Sequence, residues 1–165
     1  MKKILIALLM FISCWPPPAL ATKPLAPDFT LRDLSGAKYN LSQHQGEIII
    51  LNFWATWCGP CIKELPYLND IDKNYADRGV NVVTISIDAP RHTSFVRAYI
   101  KSHQYGFTAL HDRDTTVISQ YNPSKGIPYT VIINRQGRIV YTHLGYSPGD
   151  EITYINIIEE ILHNP

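Results

Sequence analysis

Two cysteines separated by two residues are the part of this sequence best suited to chemistry. Cys58 and Cys61 stand in the stretch FWATWCGPCIKELPYL, residues 53–68. Such a pair can be a structural crosslink, half of a metal site, or a dithiol that makes and breaks its own disulfide. A crosslink over three residues gains little entropy, and a structural zinc site needs four ligands. Because the chain has no second CxxC and its six histidines show no ligand spacing, we expect no metal and favour the redox dithiol.

The elements on either side of the pair indicate how it would be activated. Residues 47–55 are almost continuously apolar and β-branched, which is typical of a buried central strand. A helical repeat of apolar residues follows over 59–77. Free N–H groups and the dipole at a helix start stabilise a thiolate, and in CxxC motifs the cysteine pKa drops from about 8.5 to roughly 3.5–7.5. We predict that Cys58 is the exposed attacking thiolate and that Cys61, one turn further in, resolves the mixed disulfide.

The rest of the chain alternates strands and helices around this point. Turn residues at Ser35-Gly36 predict a β-hairpin over 29–41. Pro66 is expected to kink the first helix, Gly79 to end it, and Asp114 to cap the third helix. Further strands are predicted over 80–88 and 107–112, an antiparallel hairpin over 129–145, and helices over 91–103, 114–122 and 148–165. This order predicts an α/β fold with a mixed central sheet, helices on both faces and an N-terminal β-hairpin extension.

The first 21 residues, MKKILIALLMFISCWPPPALA, have the three parts of a secretory signal peptide. Two lysines precede an apolar run of about ten residues, and a small-x-small site ends at Ala21. We predict cleavage after Ala21, which leaves one domain over 22–165 in the periplasm or another extracytoplasmic space. The alternatives are a lipoprotein attached through Cys14 and an uncleaved N-terminal anchor, although a spanning helix needs about 20 apolar residues.

Composition limits the partners. The chain has 15 basic and 14 acidic residues, a net charge of +1, so no nucleic-acid partner is expected. If Cys14 leaves with the signal peptide, Cys58 and Cys61 are the remaining cysteines. A secreted protein stabilised by disulfides would carry more of them at wider spacing. The pair is therefore interpreted as functional rather than structural.

The residues around the pair resemble a known family. NFWATWCGPC after a buried strand resembles the thioredoxin superfamily. The continuation CIKELPYL, with its C-x-x-E-x-P pattern, and KGIPYTVIINRQGRIVYTHLG (125–145) resemble the TlpA/ResA/DsbE-like branch of secreted or membrane-anchored bacterial thiol–disulfide oxidoreductases. The resemblance covers residues 25–163. It implies a thioredoxin-like domain over 22–165, a monomer, and no cofactor beyond a redox-active Cys58–Cys61 disulfide.

The resemblance also implies a substrate-binding surface. Ile127-Pro128 is expected to be a cis peptide bond packed against the cysteines, since cis bonds are essentially a proline phenomenon. The residue before this proline, Ile127, would pair with the backbone of the substrate as in strand addition. Trp57 beside Cys58 is expected to form a docking surface, together with Gly59 and Pro60.

Glu64 is the third expected catalytic residue. It lies three residues after Cys61 and so shares that cysteine's side of the helix. Most helix carboxylates are simply solvated, but the family pattern favours a role in moving protons to or from Cys61. Classical thioredoxins carry a buried Asp where this chain has Asn52, which cannot titrate, and this makes Glu64 the candidate. Tyr129 stands where relatives often have Thr, so the groove for the substrate is expected to differ in shape.

These features predict a reductase of protein disulfides. Gly59-Pro60 matches reducing thioredoxins, and the resemblance implies a membrane dithiol electron donor of the DsbD/CcdA kind. The substrates implied are the haem-binding cysteines of apocytochrome c or the copper-site cysteines of oxidase assembly proteins. A disulfide oxidase or isomerase would use the same residues. A Cu(I) chaperone would use the two thiolates as soft ligands, but no Met-rich or Cys/His-rich tract supports it, and no lone cysteine in a Thr-rich loop supports a peroxidase.

Overall fold

A computed structural model describes residues 23–164 of the chain. The predicted signal peptide, its cleavage after Ala21 and the alternative at Cys14 lie outside the described residues. The strands are β1 (Thr30–Arg32), β2 (Lys38–Asn40), β3 (Ile48–Trp54), β4 (Val80–Ser86), β5 (Thr108–His111), β6 (Tyr129–Ile133) and β7 (Ile139–Leu144). The helices are α1 (Gly59–Tyr75), α2 (Thr93–Ser102), α3 (Thr116–Tyr121) and α4 (Asp150–His163).

The central sheet is mixed, as predicted. Its five strands lie in the order β5-β4-β3-β6-β7. The pairs β3–β4 and β4–β5 are parallel, whereas β6 pairs antiparallel with both β3 and β7. The first two strands form a separate antiparallel hairpin, which confirms the N-terminal extension. An isolated bridge between Asp33 and Leu110 joins this hairpin to β5 at the edge of the main sheet.

The core lies on both faces of β3, which is buried along its whole length. Alternate side chains of a strand point to opposite faces. The set that includes Ile48 and Trp54 packs with α1, α2 and α4, and the set that includes Ile49 and Phe53 packs with the N-terminal hairpin and α3. Helices therefore cover both faces, as predicted, and β3 leads directly to the cysteines on the first of these faces.

Local sequence signals account for most element ends. The helix α1 continues through the exposed Pro66, so this proline removes a backbone donor without ending the helix. Gly79 follows a short 3₁₀ turn with φ of 80°, in the left-handed region that favours glycine, and ends the helical segment as predicted. At α3 the prediction was one residue off. Thr115 occupies the N-cap position, while Asp114 accepts a hydrogen bond from the Thr116 N–H.

Between residues 23 and 164, no helix is long and apolar enough to cross a membrane.

Candidate active site

Cys58 and Cys61 form a disulfide at the start of α1, with their Cα atoms 5.3 Å apart. Cys58 is the N-cap residue, in an extended conformation, and its Sγ accepts a hydrogen bond of 3.3 Å from the Cys61 N–H. Side chains at this position meet the free N–H groups of the first helical turn. The sulfur of Cys58 is therefore placed where the helix favours negative charge, which is the condition for a stabilised thiolate.

The two sulfurs differ in access, though less than the sequence suggested. Cys58 was expected to be exposed, but in the disulfide form it is only 6% exposed, and Cys61 is fully buried. The expectation was wrong because the Cys58 side chain turns back onto the helix start instead of pointing into solvent. The order of accessibility still favours Cys58 as the sulfur that a partner can reach.

The loop that leads from β3 to the cysteines is held by Asp88, a residue that sequence reasoning missed. The carboxylate of Asp88 accepts hydrogen bonds from the Thr56 N–H at 2.9 Å and from the Thr56 hydroxyl at 2.6 Å. It also accepts one from the Ser86 hydroxyl at 2.8 Å. Asp88 is fully buried, and it lies two residues after the end of the apolar strand β4. A lone acid after a buried strand was the one sequence signal that could have pointed to it.

Trp57 next to Cys58 has 66% of its surface accessible, whereas Trp54 is fully buried as expected. Gly59 and Pro60 are also exposed. Beside Trp57 lies an open apolar groove along α2, to which Phe95 and Tyr99 contribute. An exposed indole next to a reactive cysteine is suited to contact a protein partner.

The Ile127-Pro128 bond is cis, as predicted. Pro128 is buried, and Ile127 packs against the apolar cluster that contains both cysteines. Within residues 23–164 neither the N–H nor the C=O of Ile127 makes a hydrogen bond. Tyr129, next along, begins β6, is half-buried and lies near Phe53, with ring centroids 6.4 Å apart.

Glu64 is fully buried rather than solvated. Its Oε1 accepts hydrogen bonds from the Tyr154 hydroxyl at 3.0 Å and from the Thr130 hydroxyl at 2.9 Å. Its Oε2 accepts one from Asn52 Nδ2 at 2.9 Å. Asn52 therefore contacts Glu64, the residue that was expected to take over proton transfer from the Asp that classical thioredoxins carry at this strand position. Three donors converge on one carboxylate in the core, on the helix that carries Cys61.

Burial raises the pKa of Glu64 above its ordinary value, because the charged form is poorly solvated there. The hydrogen bonds from Thr130, Tyr154 and Asn52 oppose this effect, and so does the nearby His143, but burial dominates. A carboxyl group whose pKa is raised toward neutrality is suited to accept and return a proton.

A row of polar residues crosses the otherwise apolar sheet beneath Glu64. Asn52 pairs with Thr84 on one side and Thr130 on the other, and Thr130 pairs with His143 on β7. Sequence reasoning singled out Asn52 but missed Thr130 and Tyr154. Polar residues inside the apolar runs of β3 and β6 were a signal for this row, whereas nothing in the amphipathic pattern of α4 marked Tyr154.

The amide of Asn52 is incompletely bonded. Its Nδ2 donates to both Glu64 and Thr130, while its buried Oδ1 has no partner within the described chain. A half-turn of the amide would exchange these two atoms. The oxygen would then meet Glu64 Oε2, where it can accept a hydrogen bond from a protonated carboxyl group. Asn52 could thus face either protonation state of Glu64, at the cost of the hydrogen bond that its Nδ2 donates to Thr130.

No three His, Cys, Asp or Glu side chains of residues 23–164 come together in an arrangement that would hold a metal ion.

Residues 23–142 match the AhpC/TSA family. The thiol–disulfide oxidoreductase ResA of Bacillus subtilis is 34% identical over 135 residues, which are 81% of this chain and 74% of the relative. ResA of Bacillus cereus is 32% identical over 127 residues, which are 77% of this chain and 72% of that protein.

A solved structure assigned as the thiol:disulfide interchange protein DsbE of Chlorobium tepidum has a similar fold. It superposes with a TM-score of 0.78 at 30% identity, covering 87% of this chain and 99% of the other.

Proposed function

The chain belongs to the AhpC/TSA family and is a thiol–disulfide oxidoreductase of the ResA/DsbE type, and from that premise we propose that it is a reductase of protein disulfides. The observation that carries the proposal is the Cys58–Cys61 disulfide at the start of α1, on the same helix as the buried Glu64. The Gly59-Pro60 dipeptide, shared with reducing thioredoxins, supports the reducing direction.

The reaction begins with the reduced dithiol. The Cys58 thiolate attacks one sulfur of the substrate disulfide, forming a mixed disulfide and releasing the other substrate sulfur as a thiolate. Cys61 then loses its proton and attacks Cys58 Sγ. This step forms the Cys58–Cys61 disulfide and releases the second substrate sulfur. Two electrons pass from the dithiol to the substrate, and the oxidised pair is the state that the structure describes.

Glu64 is the proposed acceptor of the Cys61 proton. Cys61 is fully buried, so water has little access to its thiol, whereas Glu64 lies one helical turn further along the same side. When Glu64 takes the proton, Asn52 can turn its amide oxygen toward the carboxyl group. The same groups return the proton when the disulfide is reduced again.

Ile127 and Trp57 are the proposed contacts to the substrate. The free N–H and C=O of Ile127 would pair with a short extended segment around the substrate cysteine. Trp57, Gly59 and Pro60 form the exposed rim next to Cys58, and Trp57 contributes a large apolar side chain that is 66% exposed. Because Cys58 is only 6% exposed, the substrate must present its disulfide on a protruding segment.

The proposed place of action is an extracytoplasmic space, to which the N-terminal sequence would direct the chain. The electron source proposed there is a membrane dithiol protein of the DsbD/CcdA kind. The substrates are the haem-binding cysteines of apocytochrome c or copper-site cysteines of oxidase assembly proteins, and the chain acts as a monomer.

Trapping of mixed disulfides tests the function. In the native compartment a Cys61→Ser variant should accumulate mixed disulfides through Cys58, because the resolving thiol is missing. A Cys58→Ser variant is the matched control and should trap far fewer partners. Equal trapping by both variants, or none by either, would contradict the proposal. A reduction potential near −120 mV, the strongly oxidising end of the scale, would reverse the proposed direction.

A further inference from the structure

A groove away from the cysteines is lined by basic side chains. It encloses about 360 Å³ between the N-terminal hairpin, the start of α2 and the turn after β5. This volume lies within the range of about 300–1,000 Å³ that is typical of binding pockets. Arg32 and Lys38 come from the hairpin, Arg97 from α2, and Arg113 from the turn after β5.

None of these four basic side chains has a carboxylate partner within 4.0 Å in the described part of the chain. Arg32 donates to the Gly36 carbonyl at 2.7 Å, and Arg97 uses its Nε–H to donate to the Leu34 carbonyl at 2.9 Å. These bonds fix the two guanidinium groups while leaving further N–H groups unused. Lys38 and Arg113 are exposed. The groove therefore presents positive charge that nothing in residues 23–164 neutralises by direct contact.

The carboxylates of the two acidic residues in the groove accept hydrogen bonds from neighbouring residues in their own turns. Asp33 Oδ1 accepts from the N–H and hydroxyl of Ser35 and from the Ala37 N–H, each at 2.7–2.8 Å. Asp114 accepts from the Thr116 N–H at 3.1 Å. Four basic side chains against two acidic ones leave a net charge of +2. An anion in the groove would therefore meet free N–H donors, while the acids are turned to backbone groups.

The wall of the groove is joined to the loop before the cysteines. His111, only 6% exposed, lines the groove, and its Nε2 donates to the Asp88 carbonyl at 2.7 Å. Its Nδ1 is 3.2 Å from the Thr93 hydroxyl. The carboxylate of the same Asp88 holds Thr56, two residues before Cys58. The groove and the cysteine loop are thus built on one buried residue and have a fixed relative position.

We propose that this groove, framed by Arg32, Lys38, Arg97 and Arg113, binds an acidic segment of the protein whose disulfide is exchanged at Cys58. The proposal rests on the proposed function, which supplies a protein as the partner. The basic groups come from three separate elements around the groove, an arrangement that suits several carboxylates along a peptide. Leu31 and Leu34 add apolar wall to the same groove and suit the side-chain stems of such a segment.

Exchange kinetics with two synthetic disulfide peptides test the proposal. Both carry the same cystine core and a flexible linker, followed in one by six glutamates and in the other by six glutamines. At low ionic strength the reduced chain should react about tenfold faster with the glutamate peptide, through electrostatic attraction. The ratio of the two exchange rates should fall toward one in 1 M salt, where charges are screened over about 3 Å.

The double variant Lys38→Gln/Arg113→Gln should lose the advantage without losing folded structure, since neither side chain makes a described hydrogen bond. The matched control is Lys63→Gln/Lys73→Gln, which removes the same charge from exposed positions on α1 and should keep the advantage. An equal loss in both double variants would show a general charge effect and overturn the proposal.

Binding in the absence of exchange separates this inference from the function. In amide NMR spectra of the oxidised chain, a hexaglutamate peptide without cysteine should shift signals of the hairpin and of residues 111–114. Shifts confined to other parts of the chain would overturn the assignment of this groove as the binding site. Equal shifts from inorganic phosphate at the same concentration would indicate a small-anion site and overturn the peptide assignment. A failure of both cystine peptides to react, with these shifts intact, would instead count against the proposed function alone.

Discussion

The hydroxyl of Tyr154 on α4 donates a 3.0 Å hydrogen bond to the carboxylate of Glu64 on α1, although 90 residues separate the two along the chain. Both side chains are fully buried. Burial raises the pKa of Tyr154, so its hydroxyl keeps its proton and remains a donor. The last helix therefore supplies a hydrogen-bond donor to the buried carboxylate on the helix that carries the cysteines.

Replacing Glu64 by Gln removes the proposed proton acceptor while keeping a side chain of similar shape. We expect the resolution of the mixed disulfide by Cys61 to slow by about 10²-fold, in the range of general acid–base catalysis, and its pH dependence to lose one ionisation. Stopped-flow measurement of the step across pH 5–9 checks this. Glu160→Gln on the exposed side of α4 is the control. An unchanged pH–rate profile in Glu64→Gln would remove Glu64 from the mechanism.

Replacing Tyr154 by Phe removes one of the three donors to the Glu64 carboxylate. Since that donor favours the charged form, the pKa of Glu64 should rise by up to about one pH unit, equivalent to about 1.4 kcal/mol. The midpoint of the pH–rate profile should move upward with it. Tyr141→Phe is the control, because Tyr141 lies beside Tyr154, with ring centroids 6.1 Å apart, and donates no described hydrogen bond. An equal movement of the midpoint in both variants would contradict the assignment.

The pH dependence of folding stability should show the buried carboxyl group of Glu64 directly. Its pKa is above 4.5 in the folded chain, so between the unfolded and folded pKa values the native state holds a proton that the unfolded state has released. The contribution of Glu64 to stability is therefore highest below about pH 4.5 and is lost as pH rises through the folded pKa. The loss is about 1.4 kcal/mol for each pH unit that separates the two pKa values. Urea unfolding of the oxidised protein and of Glu64→Gln at several pH values measures this difference.

Burial also raises the pKa values of Asp72 and Asp112. Because both residues are present in the wild type and in Glu64→Gln, their contributions cancel, and the difference between the two proteins reports on Glu64. A difference that stays constant with pH, or that grows in favour of the wild type as pH rises, would contradict a raised pKa for Glu64.

The two tryptophans near the cysteines should separate stability from recognition. Trp54→Ala should lower the free energy of unfolding by about 3–5 kcal/mol, because it empties a buried site. Trp57→Ala should change it by less than about 0.5 kcal/mol, since 66% of the side chain is already exposed. Trp57→Ala should slow exchange with a protein disulfide more than exchange with hydroxyethyl disulfide. Equal slowing with both substrates would argue against a docking role.

Most of the fold follows from patterns that are local in sequence. Continuous apolar runs predicted β3 and β4, and Gly79 marked the end of the first helical segment, whereas the cis bond at Ile127-Pro128 was implied by the family resemblance. These patterns depend on the conformational preferences of neighbouring residues and on which face of an element is apolar. Both are retained in the folded chain. The N-cap of α3 was misplaced by one residue because the cap there combines a left-handed Thr115 with a side chain from Asp114.

The residues alone predicted the candidate site only as far as it is continuous in sequence, and the family resemblance added Ile127-Pro128. Cys58, Cys61 and Glu64 lie within two helical turns, so their proximity follows from helical geometry. Asp88, Thr130 and Tyr154 come from three later elements, and no local pattern states which side chain of one element meets which side chain of another. The exposure of Cys58 was misjudged for a related reason, since it depends on how the thiol folds back onto its own helix.

The unequal burial of the two sulfurs has a kinetic consequence. Of the two, Cys58 alone has accessible surface, so the protein that supplies electrons and the protein that consumes them must approach through the same opening. The two partners cannot form a mixed disulfide with Cys58 at the same time. The chain therefore alternates between its oxidised and reduced forms and completes one exchange before it begins the next, as in a ping-pong mechanism. Its turnover in vivo would then depend on the ratio of its two partners as much as on the amount of either.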